Sequence, residues 1–189
     1  VIFGVAFEIS GGGEVIRKVA LRLAMHSRKG AIKACVIASG LFGTVSGTAI
    51  SNVLTSGTFS IPSMRRIGVR NETAAGIEAA ASTCGQIMPP VLGATAFFLA
   101  NFVGIPYSSV VLASIGPALI CYYAFFRQAD SIHLDVMTTF DDPEEITFER
   151  SELLYLVPIA GMFALLLQSS AYVSLAAIVG SALCLMVSL

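Results

Sequence analysis

Residues 34–64 read ACVIASGLFGTVSGTAISNVLTSGTFSIPSM, thirty-one consecutive positions without Asp, Glu, Lys or Arg. A helix crossing the hydrocarbon core needs about 20 apolar residues, so the stretch is too long for one span. Two equal arms at about 1.5 Å per residue would each reach roughly 23 Å, short of a core roughly 30 Å thick. Its middle, GLFGTVSGTAISNVLTSGT, is dense in Gly, Ser, Thr and Asn rather than lipid-like. Basic residues flank both ends: Arg28, Lys29 and Lys33 before, Arg65, Arg66 and Arg70 after. Because Lys and Arg gather on the cytoplasmic side, both ends are expected in one compartment. Length, polarity and charge together predict a re-entrant helical hairpin. Backbone turned at membrane depth survives only inside protein or against a watered cavity, so the turn points at a site.

Outside the hairpin the same scarcity of charge continues. Of 189 residues 56% are hydrophobic and 12% charged, with mean hydropathy +0.83; soluble domains carry roughly 25% charged residues. Residues 79–126 and 153–189 are also free of Asp, Glu, Lys and Arg. The chain is therefore expected to be an all-α integral membrane protein, and water-soluble enzyme folds are excluded. A net charge of −1 and the lack of a basic amphipathic run give no sign of nucleic acid. Cys35, Cys84, Cys121 and Cys184 lie in apolar stretches without a CxxC, so small buried apolar side chains are expected rather than a disulfide framework or zinc site. With Val1 and Leu189 inside apolar runs and no signal-peptide pattern, the sequence reads as a fragment of a larger membrane protein.

The chain divides into five parts. Residues 1–30 hold the end of a span and, after Gly11-Gly12-Gly13, an amphipathic helix suited to the membrane interface. The hairpin occupies 31–64. Residues 73–126 hold a helix broken at CGQIMPP, where Pro89-Pro90 removes two backbone donors, and then a second span. An acidic loop, 127–152, carries eight of the twelve carboxylates and reads as a solvated cytoplasmic linker. Two apolar segments follow in 153–189.

Discontinuous helices near mid-membrane are how many secondary transporters build sites: half-helix N-termini face anions while freed carbonyls hold Na⁺. Two polar breaks occur here, GTVSGTAISN at 43–52 and STCGQIMPP at 82–90. They offer the hydroxyls of Thr44, Ser46, Thr48, Ser51, Ser82 and Thr83, the amides of Asn52 and Gln86, and carbonyls freed by Gly43, Gly47 and Gly85. Gly43 and Gly47 also form GxxxG, which serves close helix packing equally well. Glu78, inside the span after Arg70, is a candidate for proton or ion coupling; the competing reading is an interface carboxylate bonded to Ser or Thr. Glu8 offers a weaker version of the same feature. His26 and His133 sit in polar segments and read as solvated.

The words ASGLFGTVSGTAISNVLTSGTFSIPSMRRIGVR and AAGIEAAASTCGQIMPPVLGATAFFLANFVGIPY resemble the large membrane subunit of tripartite ATP-independent periplasmic (TRAP) transporters. More narrowly, they resemble TAXI-type permeases with fused small and large subunits. Thr48, Ser51 and Cys84 depart from the usual Ser, Ala and Gly. The resemblance implies half of an elevator-type symporter in a bacterial or archaeal inner membrane, multi-pass, and not an enzyme. A periplasmic substrate-binding protein would deliver an organic anion such as a C4-dicarboxylate, sugar acid or amino-acid anion. Na⁺, or H⁺ in its place, would drive import; a small membrane subunit or fused equivalent would complete the permease, with no other cofactor. It further implies a Na⁺ site at Ser46, Gly47, Asn52, Gly85 and Pro89, with Thr48, Thr83 and Gln86 nearest substrate. The other half of the site would lie beyond this chain.

Three other readings compete. An intramembrane serine protease using Ser46 lacks a base, since neither histidine lies in a span. A non-transporting membrane scaffold would use the glycines for packing alone. A Na⁺/anion symporter of another hairpin-bearing family would share the physics and differ in partner.

Overall fold

The computed structural model describes residues 6–7, 9–24, 29–132, 157, 161 and 178–184. Most of the expected span end at 1–10, Glu8, His26, His133, most of the acidic loop and most of 153–189 therefore lie outside the described residues. Within them the chain is helical, with no strand. The order is α1 Gly12–Ala24, α2 Gly30–Ser46, α3 Ala49–Arg66, α4 Asn71–Cys84, a 3₁₀ turn Gly85–Ile87, α5 Ala94–Val103 and α6 Tyr107–Gln128, closed by a second 3₁₀ turn at Ala129–Ser131.

Helix α1 follows from its pattern. Val15, Ile16, Ala20 and Ala24 form a buried stripe at helical spacing, and the helix packs on α2. Glu14 opens it and Arg22 closes it, as the helix dipole favours. The Arg17 guanidinium bonds the Glu14 carboxylate and holds its pKa below the usual value.

Helices α2 and α3 are antiparallel partners. Cys35 Sγ donates to the Ser60 carbonyl at 3.4 Å, and Asn52 Nδ2 donates to the Ser39 carbonyl at 2.9 Å, so the pairing descends one helix as it climbs the other. The reversal takes two residues. Gly47 ends α2 in the left-handed region, φ 62°, with its N–H on the Gly43 carbonyl. Thr48 then caps α3, its Oγ1 accepting from Ser51 N at 3.3 Å. The basic residues at either end of the pair consequently share one end of the molecule. With 17 residues, α2 extends about 25 Å.

That shared end is fastened to α6. Lys33, 7% exposed, pairs with Asp130 Oδ1 at 2.7 Å and lies over the Phe126 ring. Lys29 Nζ donates to the carbonyls of Asp130, at 2.9 Å, and Ile132. Among the described residues, Tyr107–Ser131 is the single stretch long and apolar enough to cross a membrane; α2 and α5 are apolar but shorter. Phe98, Phe102, Leu112, Leu119 and Ile120 are exposed along α5 and α6, an apolar face. One expectation fails for two cysteines: Cys84 and Cys121 are joined as a disulfide between the end of α4 and α6, while Cys35 and Cys184 are buried thiols. The two bonded residues are 37 positions apart with no local pattern, so spacing could not reveal the pair.

Candidate functional site

The two polar breaks lie against each other. Helix α4 stops at Cys84 because Gly85–Ile87 tightens to 3₁₀ and the following prolines have no N–H to offer. Residues 88–93 then run as a non-helical loop containing the cis Pro89–Pro90 bond. Gly93 N donates to the Gln86 carbonyl at 2.7 Å, closing the loop. Tyr107 secures it from α6: its phenol donates to the Pro90 carbonyl at 3.1 Å and accepts from Leu92 N at 3.2 Å. These are backbone groups that no helix serves, and a buried unpaired one costs about 1–3 kcal/mol.

Glycines permit the contact between breaks. A Cβ on Gly43 would stand 2.6 Å from Gly85 Cα, and one on Gly47 would stand 2.9 Å from Val91 Cγ1 and 3.1 Å from the Leu92 carbonyl oxygen. A Cβ on Gly85 would stand 2.5 Å from Nδ2 of Asn52, itself 1% exposed, and 3.1 Å from Gly43 Cα. Gly47, Asn52 and Gly85 are thus gathered where the hairpin turn meets the broken helix. Ser46 is buried beside them, its hydroxyl on the Thr48 carbonyl at 3.4 Å. Pro89 lies half-buried in the same loop.

The three residues expected nearest substrate are less concentrated. Thr83 and Gln86 are adjacent, with Gln86 Nε2 3.5 Å from the Thr83 carbonyl, and the Thr83 hydroxyl rests on the Ala79 carbonyl. The Thr48 hydroxyl serves as the α3 cap. No hydrogen bond among the described residues joins Thr48 to Thr83 or Gln86.

Glu78 is buried at 1% exposure. Its Oε1 accepts from Ser39 at 3.0 Å, Ser82 at 2.9 Å and Ser56, and its Oε2 accepts from Ser60. The serines come from three helices: Ser39 from α2, Ser56 and Ser60 from α3, Ser82 from α4 itself. No Lys, Arg or His among the described residues pairs with this carboxylate. It is a buried acid solvated by serine hydroxyls, the hydrogen bonding that the competing reading of Glu78 expected. Sequence reasoning missed Ser39, Ser56 and Ser60. A signal was present, because Ser56 and Ser60, like Glu78 and Ser82, are four apart and so share one helix face. The antiparallel register that joins those faces was not visible.

With this geometry in view, the chain can be set beside known proteins. The profile of the family described as "Tripartite ATP-independent periplasmic transporter, DctM component" matches residues 1–189. A curated relative, the uncharacterized protein y4mL of Sinorhizobium fredii (strain NBRC 101917 / NGR234), is 29% identical over 118 residues. That alignment takes in 60% of this chain and 27% of the relative, so the chain spans little more than a quarter of the relative's length.

Proposed function

Since the chain belongs to the DctM family of TRAP transporter components, a membrane-integral transporter family and not an enzyme family, we propose that it forms part of a Na⁺-coupled permease for an organic carboxylate. A periplasmic substrate-binding protein supplies the anion, and a small membrane subunit or fused equivalent completes the assembly. The chain supplies one hairpin and one broken helix of an elevator-type transport unit in the inner membrane. The TAXI-type layout is the closest fit to its sequence words.

The observation that carries this reading is the apposition of the two breaks at Gly43–Gly85 and at Gly47–Val91. Such a junction concentrates neutral oxygens, the donors a hard monovalent cation prefers, where backbone leaves its helical ladder. In this reading Ser46, Gly47, Asn52, Gly85 and Pro89 line the Na⁺ path. Thr48, Thr83 and Gln86 face the anion, with the N-terminal end of α3 lending positive dipole. Glu78 serves ion coupling from behind Asn52.

The test is uptake into vesicles by the full transporter with its binding protein, with a Na⁺ gradient imposed or withheld. Wild-type uptake should need the gradient, and Ser46→Ala or Asn52→Ala should lower it at least tenfold while leaving membrane insertion intact. Uptake indifferent to Na⁺ would remove the coupling. A scaffold would show no uptake in any form.

A further inference from the structure

A groove of about 710 Å³ separates α1 from α3, and none of its lining residues belongs to the two breaks. Gly13 and Arg17 stand on its α1 wall, Phe42 comes from α2, and Thr55, Phe59 and Arg66 mark its α3 wall. Its direction follows from the packing. A Cβ on Gly13 would stand 3.4 Å from Phe42 Cζ, while Ala20 and Leu21 share a small void with Ala31 and Ala34. Helix α1 therefore descends as α2 climbs, and its last turn, with Arg22, reaches the end where Lys29, Lys33 and Arg66 lie. From Thr55 to Arg66 the α3 wall rises about 16 Å, close to half of a hydrocarbon core roughly 30 Å thick. The groove is one leaflet long.

Its middle is less polar than its sequence. Thr58 Oγ1 donates to the Thr55 carbonyl at 2.7 Å, and Ser63 Oγ donates to the Phe59 carbonyl at 2.6 Å. Both hydroxyls are thus engaged by their own helix. The other lining there is carbon: Pro62 and the tilted rings of Phe42 and Phe59, with centroids 6.4 Å apart. Charge gathers towards the base. Helices α1 and α3 together carry five Lys or Arg and a single carboxylate, Glu14, which the Arg17 guanidinium already bonds.

We propose that this groove seats one anionic glycerophospholipid, its phosphate at the Arg66 end and an acyl chain along Phe59 and Phe42 towards Thr55. Both parts of the lining then have a matching partner. A guanidinium fits phosphate oxygens in geometry as well as charge, and each basic residue near a headgroup adds about 1 kcal/mol of attraction to an anionic lipid. A zwitterionic lipid would bring its own cation to an end already rich in cations. A free anion would leave the aromatic middle uncovered. The chain belongs to a membrane-integral family, so the occupant is drawn from the medium in which the helices stand.

The test is native mass spectrometry of the full transporter in detergent, titrated with phosphatidylglycerol or with phosphatidylcholine of the same acyl chains. A phosphatidylglycerol adduct should form at least about fivefold more tightly than its phosphatidylcholine counterpart. Arg66→Gln should remove about fivefold of that preference. Thr58→Trp, which fills the groove without altering charge, should weaken both adducts. Arg70→Gln, at an exposed basic residue outside the groove, should change neither, and inorganic phosphate in large excess should displace no lipid. Equal binding of the two lipids, or an adduct unmoved by Thr58→Trp, would overturn the proposal. So would equal losses in Arg70→Gln and Arg66→Gln, which mean diffuse surface charge, or displacement by inorganic phosphate, which means a free-anion site. A transporter that retains neither lipid has its groove filled by protein, and the proposal fails. None of these readings depends on Na⁺ or on uptake, so the transport reading stands or falls separately.

Discussion

Gly43 has room for a hydrogen and nothing larger. A methyl there would stand 2.6 Å from Gly85 Cα and 2.8 Å from its carbonyl oxygen, so backbone would have to part from backbone. Gly43→Ala is expected to cost about 1–3 kcal/mol, as overpacked interiors do, and to lower uptake by separating the breaks. Gly76 supplies the contrast. It is an interior residue of α4 with nothing within 4 Å of an added Cβ, so Gly76→Ala should stabilise by up to about 1 kcal/mol through helix propensity. Thermal unfolding of the two variants in one detergent compares them directly. Tyr107→Phe isolates another single-residue effect. It keeps the ring stacked on Phe97 at 4.2 Å but strands the Pro90 carbonyl and Leu92 N–H, for a loss of about 1–3 kcal/mol. Gly47 and Gly85 were marked out by the family resemblance, since their place in polar breaks left close helix packing as good a reading for Gly47. Tyr107 could not, since its partners are 15 and 17 residues away and nothing local announces them.

At the scale of elements, the antiparallel helix–turn–helix was legible from its polar centre, while length without charge and basic residues at both ends bear on how it meets a membrane. The break in 73–100 was legible because Pro89-Pro90 cannot serve a helical ladder. What stayed hidden was register. That Ser39 faces Ser56, and that both face Glu78, depends on how α2, α3 and α4 dock, and no periodicity within one helix contains that. The antiparallel pairing yields a topological prediction. Cysteines placed by Lys29→Cys and Arg65→Cys in a background without reactive thiols should be labelled by an impermeant maleimide from one and the same side of the membrane. Labelling from opposite sides would make α2–α3 a crossing rather than a re-entrant pair. A smaller effect belongs to α1. The Glu14 pKa is depressed by Arg17, so the pair stabilises α1 above the ordinary carboxylate pKa and loses that contribution as acid carries the pH down through the depressed value. For so exposed a pair the effect stays within about 0.2–1 kcal/mol, and Glu14→Gln should abolish its pH dependence in a thermal-shift titration.

The whole molecule has one described helix able to cross a bilayer alone, Tyr107–Ser131, flanked by shorter apolar helices and an exposed apolar face on α5 and α6. Composition alone had indicated a membrane protein, and the family match over 1–189 agrees with it. Composition, charge and spacing in these residues named neither substrate nor partners; only the family resemblance pointed to them. The assembly carries its own prediction: a tagged full-length permease should retain its periplasmic binding protein during purification when substrate is present. Its absence from every preparation would favour a symporter that works without one.

Lys29 and Lys33 grip the 3₁₀ turn that closes α6 through Asp130 and Ile132. The hairpin and the long helix therefore stand on a common footing. Moving either base away from the other would break the Lys33–Asp130 ion pair and both Lys29 hydrogen bonds at once.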